Sequence, residues 1–245
     1  MLRVCEVCGS NKQKKIHRQR FVLPTKNFFH GGYDVAICEN CGFSFASNIP
    51  SQDFFDSYYA EMAKKSFYIS KKIFKKKDTE TNYDKEMDVR LKHTLKNIVK
   101  FADKKDKILD IGCYTGELLH LLKKKGYKKL TGADPSPLAV DIAKEKYGLK
   151  VIESNVYDGK ISGTYDFILL THVLEHIKDL RKFIAILSTL LSPNGKIYIE
   201  SPDAHNFFYS DSDQFLPEHQ EAYQQFSLEH INFFTKESLN NLMRT

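Results

Sequence analysis

The stretch Lys107-Ile108-Leu109-Asp110-Ile111-Gly112-Cys113-Tyr114-Thr115-Gly116 runs an apolar strand into a glycine turn. The leucine-rich run behind it, Glu117 to Leu122, reads as a helix. A second apolar run, Lys129-Leu130-Thr131-Gly132-Ala133-Asp134, ends in an acid. An α/β sheet grips a nucleoside with this pattern. The glycines let the backbone approach the ligand, and the acid at the tip of the second strand accepts the two ribose hydroxyls.

The flanking sequence alternates as a parallel α/β fold does. Upstream, Tyr83, Met87, Leu91, Leu95, Ile98 and Ala102 recur at the three-to-four spacing of one buried helical face. Downstream, Pro137 opens a helix that runs to Tyr147 and is closed by Gly148. Residues 150–153 and 167–170 read as strands three and four, the latter followed by a helix to Leu191. Pro193-Asn194-Gly195 turns into strand five over 196–200, and residues 203–227 are polar and aromatic without a clear period. A last helix is predicted over 235–243, with Thr235 as its cap and Ser238 in its first turn.

The N-terminal 50 residues have a different character. Cys5/Cys8 and Cys38/Cys41 are two Cys-x-x-Cys pairs, each followed by glycine (Gly9, Gly42). Two such knuckles complete a tetrahedral thiolate site, and four thiolates leave no open position, so the expected metal is a structural zinc. Two disulfides are the competing reading, disfavoured in a reducing compartment. Residues 1–50 therefore read as a zinc ribbon with extended pieces at 16–23, 33–37 and 43–46, folded with energy supplied by the metal. The next segment, 51–78, is an aromatic and basic connector. Most of its aromatics are expected to pack, with Tyr58 and Tyr59 as candidates to line a substrate site.

The chain's 245 residues suffice for one core and a small appended module. Composition is 42% hydrophobic and 28% charged, and no apolar run approaches a membrane span. The N-terminus carries Cys5 and Cys8 where an export segment would be apolar, so the expected location is cytoplasmic. A formal charge of +6 is mild. The lysine clusters at 71–72, 75–77 and 123–125 could touch phosphates, but solvated helix faces are the preferred reading. Nothing in the sequence fixes an oligomeric state.

Residues 107–201 resemble the class I S-adenosylmethionine-dependent methyltransferases. The resemblance rests on Ile108-Leu109-Asp110-Ile111-Gly112 with Gly116, on Gly132-Ala133-Asp134-Pro135-Ser136, and on Tyr165-Asp166-Phe167-Ile168 leading into Val173-Leu174-Glu175-His176. Leu191-Ser192-Pro193-Asn194-Gly195-Lys196 completes it. It implies a Rossmann-like three-layer α/β sandwich over 79–245, with a substrate-cap segment near 203–234. Strands 6 and 7 of that sandwich find no residues here. It also implies S-adenosylmethionine as cofactor. Gly112, Cys113 and Gly116 would meet its methionine part, and Asp110 would hold the loop and the amino group. Asp134, followed by Pro135, would take the ribose hydroxyls. Asn155 and Val156 would face the adenine, the Asn155 amide oxygen standing in for the usual aspartate. Thr171 and His172 would lie beside the methyl group. Tyr114 departs from the family's middle glycine, so its side chain must point away from the cofactor or cover it.

Glu229-His230, in Leu228-Glu229-His230-Ile231-Asn232-Phe233-Phe234-Thr235, resembles a segment of the sugar C-methyltransferases. Those enzymes also carry an N-terminal four-cysteine module, and their histidine at this place is the proposed base. Their tyrosine three residues earlier is Ser227 here. The resemblance implies His230 and Glu229 as catalytic residues, with a capping or packing role as the alternative. His172-Val173-Leu174-Glu175-His176 also spells the inverted zinc-protease motif. Its setting at a strand end, with no third ligand singled out, argues against that chemistry and makes His176 structural.

Three functional readings follow. The first is methyl transfer to a polar small-molecule acceptor, a (nucleotide-)sugar or phosphorylated metabolite of surface-polysaccharide synthesis. The second is RNA methylation with the ribbon on RNA, not favoured because no arginine patch with stacking aromatics is present. The third is a non-catalytic binding module on a cofactor fold.

Overall fold

Two different backbone pairings divide the chain, one antiparallel and one parallel. The computed structural model describes residues 2–20, 32–51, 82–205, 226 and 229–244. The connector over 52–81, with Tyr58 and Tyr59, lies outside the described residues, as does most of the cap segment. The chain forms two compact units. Met1–Phe54, His172–Ala185 and Glu200–Thr245 make the first, and Phe55–Thr171 with Ile186–Ile199 the second.

The first unit is built on an antiparallel sheet. Strands β1 (Gln13–Gln19), β2 (Tyr33–Cys38) and β3 (Ser44–Ala46) come from the N-terminal module, and β9 (Asn232–Phe233) pairs with β3 at its edge. Thus residues near 230, expected in a cap segment, complete the antiparallel sheet begun by the N-terminal strands. The pairing is fixed by burial: Phe43, Phe45 and Tyr33 are wholly buried, and Phe234 packs on Phe43 with ring centroids 5.1 Å apart. Buried Arg3 clasps three segments together. It donates to the Ile231 carbonyl at 3.2 Å and the Lys178 carbonyl at 2.6 Å, and lies over the Phe45 ring. Asn232 likewise donates to the carbonyls of Leu174 and Ile177, at 2.7 and 2.6 Å. The closing helix α5 (Lys236–Leu242) has the predicted cap, a reciprocal box in which Thr235 and Ser238 satisfy each other's backbone amides.

The second unit holds the parallel sheet. Its strands are β4 (Lys107–Ile111), β5 (Lys129–Asp134), β6 (Val151–Glu153), β7 (Tyr165–Thr171) and β8 (Leu191–Glu200), in spatial order β6-β5-β4-β7-β8. The order reverses between β4 and β7, so the crevice in which such sheets bind ligands opens at the carboxyl ends of β4 and β7, next to the tip of β5. Among the described residues the sheet has these five strands. Helices α1 (Asn82–Ile98), α2 (Glu117–Lys124) and α3 (Pro137–Tyr147) supply the packing layer, and α4 (Leu180–Leu190) precedes β8. Leu95 and Ile98 of α1 join the core with Leu119 and Leu122 of α2, and Leu91 and Ala102 pack partly against it. The predicted continuous helix after β7 begins instead as one 3-10 turn, Leu174–His176. The bend leaves Glu175 buried at its centre.

Candidate cofactor and metal sites

Among the described residues, three without the freedom of glycine adopt left-handed backbone, and all three follow a strand of the parallel sheet. Tyr114 (φ 48°) comes after β4, Val156 (φ 72°) after β6, and His172 (φ 57°) after β7. Each costs on the order of 1–3 kcal/mol and persists only where surrounding structure imposes it, typically at ligand sites.

At the tip of β4 the Gly112 and Cys113 amides both donate to the Ala133 carbonyl, at 2.8 and 3.2 Å, which ties the turn to β5. The Tyr114 amide donates to Asp134 Oδ2 at 2.8 Å, and the Ser136 amide to Asp134 Oδ1 at 2.9 Å. Asp134 is thus held rigidly beside Pro135, with a second lone pair on each oxygen for a ligand hydroxyl. The Tyr114 side chain is 63% exposed, so its departure from glycine is accommodated by turning the ring outward. Gly116 (φ 83°) serves packing: a Cβ there would come within 2.7 Å of Leu149 Cδ1 and 3.1 Å of Ala143 Cβ. Cys113 is buried in the apolar core of this unit. Asn155 Oδ1 accepts from the Tyr157 amide at 3.1 Å, and the Ser154 hydroxyl receives the Val156 amide at 3.0 Å, shaping the turn after β6.

Asp110 is the most informative group. It is 1% exposed, and its Oδ1 has no hydrogen-bond partner. Burial, helped by the Asp134 charge, pushes its carboxyl up to about 8. Burial also raises Asp134, against the two backbone hydrogen bonds that favour its charge. Two desolvated carboxyls with one orphaned oxygen form a site short of positive charge and of one donor. S-adenosylmethionine carries an ammonium and a sulfonium, so it fits that deficit.

In the first unit the two knuckles are near copies. Gly9 donates to the Cys5 carbonyl at 2.8 Å and Gly42 to the Cys38 carbonyl at 2.9 Å, with φ of 76° and 72°. Each chain turns back over its own thiols in a conformation open to glycine. Arg181 donates to the Glu6 and Val7 carbonyls at 2.9 and 3.1 Å and braces the first knuckle. Cys5 Sγ stands 3.5 Å from Cys41 Sγ, and Cys8 Sγ 3.5 Å from Cys38 Sγ. That is no disulfide; Zn–S bonds of about 2.3 Å in a tetrahedron put sulfurs about 3.8 Å apart. The four thiols therefore fit zinc.

The same unit gathers the histidines. His172 Nδ1 lies 3.1 Å from Glu175 Oε1, and its Nε2 lies 3.6 Å from Glu200 Oε1. The Ser201 hydroxyl donates to Glu175 Oε2 at 3.2 Å. Burial opposes ionisation of Glu175, but the His172 hydrogen bond and the nearby His176 outweigh it and hold the carboxyl below the usual range. His176 Nδ1 donates to the Glu229 carbonyl at 3.0 Å, and its ring meets that of His230 edge-on at 5.0 Å. Tyr33 donates its hydroxyl to the His230 carbonyl. Glu229 thus contributes a backbone carbonyl to this cluster. Sequence reading named His172, Glu229 and His230 but missed Glu200 and Ser201. Their position at the carboxyl end of a parallel strand was the available signal.

A family profile described as "Methyltransferase domain" matches residues 83–245. The chain is 31% identical over 103 residues to the mitochondrial ubiquinone biosynthesis O-methyltransferase of Schizosaccharomyces pombe, covering 39% of this chain and 37% of that one. To a probable (S)-tetrahydroprotoberberine N-methyltransferase of Papaver bracteatum it is 37% identical over 101 residues, covering 38% and 28%. The match thus spans less than half the length of these relatives. Among solved structures, a SAM-dependent methyltransferase of Bacteroides fragilis in complex with S-adenosyl-L-homocysteine aligns over 49% of this chain and 52% of its own, at 24% identity and TM-score 0.43. The plantazolicin methyltransferase BamL aligns over 76% and 68%, at 23% identity and TM-score 0.48. With the profile covering 83–245, the chain belongs to the methyltransferase domain family, as a class I S-adenosylmethionine-dependent methyltransferase domain.

Proposed function

We propose that this protein transfers a methyl group from S-adenosylmethionine to a polar small-molecule acceptor. The observation that carries this reading is the orphaned, buried oxygen of Asp110 beside Asp134 at the ends of β4 and β5. Asp110 would receive the cofactor's amino group, Asp134 its ribose hydroxyls, and the turns at Gly112–Gly116 and Asn155–Val156 its two ends. When bound, the cofactor supplies an electrophilic methyl group. What remains for the chain is alignment of the acceptor and removal of its proton. Thr171 and His172 are assigned to the methyl-facing end of β7, and His230 with Glu229 to proton removal. Tyr58 and Tyr59 are assigned to acceptor binding.

Relatives named as O- and N-methyltransferases of small molecules support a small acceptor. The four-cysteine module together with the Glu229-His230 segment supports a (nucleotide-)sugar or phosphorylated metabolite of surface-polysaccharide synthesis. The zinc assigned to Cys5, Cys8, Cys38 and Cys41 holds the ribbon and takes no part in transfer. Purified protein given S-adenosylmethionine and a panel of nucleotide sugars and sugar phosphates should release S-adenosylhomocysteine. Silence across sugars, with turnover on phenolic or amine acceptors, would move the reading to the chemistry of those relatives.

A further inference from the structure

The inverted zinc-protease motif lacked a third ligand in the sequence, and the fold supplies one from the far end of the chain. A carboxylate oxygen of Glu175 and one ring nitrogen each of His176 and His230 all lie within 4.8 Å of one another. We propose that Glu175, His176 and His230 bind a divalent transition-metal ion, distinct from the zinc of the four cysteines.

Two imidazoles and one carboxylate are a donor set suited to Zn²⁺, Co²⁺, Mn²⁺ or Fe²⁺, with positions left for oxygen ligands. Metal–ligand bonds of about 2.0–2.2 Å need donor atoms about 3 Å apart, so modest side-chain closure completes the site. The outer hydrogen bonds such a site requires are already made. His176 Nδ1 meets the Glu229 carbonyl, which can only accept, so that nitrogen carries the proton and Nε2 the lone pair. Glu175 is oriented by His172 on one oxygen and Ser201 on the other. Its carbonyl receives the Ile231 amide at 2.8 Å, which ties the 3-10 turn of Glu175 and His176 to the segment of His230, and the His230 carbonyl receives the Tyr33 hydroxyl at 3.1 Å. His172 then orients Glu175 and is not itself a ligand, so the triad differs from that of the proteases. Binding of the ion does not depend on the methyl-transfer reading; an occupied site takes up the His230 lone pair and so replaces the free-base role assigned to His230 above.

The test uses untagged full chain with the cysteine site filled by one equivalent of zinc and no cofactor present. Titration with Co²⁺ should bind one further ion, with weak visible absorption and no sulfur-to-cobalt charge-transfer band. His230→Gln and His176→Gln should each weaken that binding by roughly 10- to 100-fold or more. Both should keep the cysteine-site zinc and the melting temperature measured before cobalt is added, which shows that they fold. No second ion at millimolar Co²⁺, or binding unchanged in both variants, overturns the proposal. S-adenosylmethionine binding measured on the same zinc-filled protein reports separately on the methyltransferase reading.

Discussion

Replacing Asp110 by asparagine should make the cofactor-free protein more resistant to alkali, because the wild-type carboxyl is buried where it resists ionising. Its folded value is about 8 against an ordinary 3.8. A carboxyl raised in this way keeps a proton in the folded chain that it has lost in the unfolded one. The stability this confers is whole below about pH 4 and drains away as pH climbs to about 8. At 1.36 kcal/mol per unit, and with the folded carboxyl half ionised at its own value, the interval from pH 5.5 to 8 costs about 3 kcal/mol. For a chain of this size that is roughly 6–12 °C in melting temperature. Asp110→Asn removes the titration but buries an amide with one oxygen already orphaned, at about 1–3 kcal/mol independent of pH. The variant should therefore start lower at pH 5.5 and lose far less on going to pH 8. Thermal melts of both proteins, zinc-loaded and cofactor-free, across that interval provide the assay. Equal losses in the two would refute the reasoning, since another group would then carry the pH dependence.

Asp134→Asn should weaken S-adenosylmethionine binding roughly 10- to 100-fold by calorimetry, through loss of a charged acceptor for the ribose. It also removes the charge that helps raise Asp110, so the loss of stability with rising pH should end at a lower pH and be smaller in total. Cys41→Ser should abolish stoichiometric zinc measured by atomic emission and unfold the sheet of β1 to β3, seen as lost amide protection there. Arg3→Ala deletes two hydrogen bonds from a buried guanidinium and should cost about 3 kcal/mol in denaturant unfolding, with the cysteine-site zinc retained.

How much of this was legible in the sequence depended on the range of the interactions. The helix Pro137–Tyr147 matches its predicted bounds because Ser136, Pro137 and Gly148 are local stop and start signals. The Thr235–Ser238 box was readable for the same reason. The parallel sheet followed from the α/β alternation, though not its strand order, and Asp110 and Asp134 were singled out by their place at strand tips. The Arg3 clasp, the β3–β9 pairing and the meeting of Glu175, His176 and His230 were not legible. Each joins residues separated by long stretches of chain, and neither periodicity nor capping carries that information. The burial that turns Asp110 into a strained acid is likewise a property of the assembled core.

The central claim is that Asp110 and Asp134 hold a cationic cofactor. Calorimetric titration of wild-type protein with S-adenosylmethionine from pH 6 to 9 tests it most directly. Binding needs an ionised Asp110, with its value near 8, and a protonated amino group on the ligand, with a value near that of an ordinary α-amine. The account predicts one site per chain and an affinity that peaks near pH 8, about sevenfold above its value at pH 6.5. Absence of binding, or an affinity flat across that range, would contradict it.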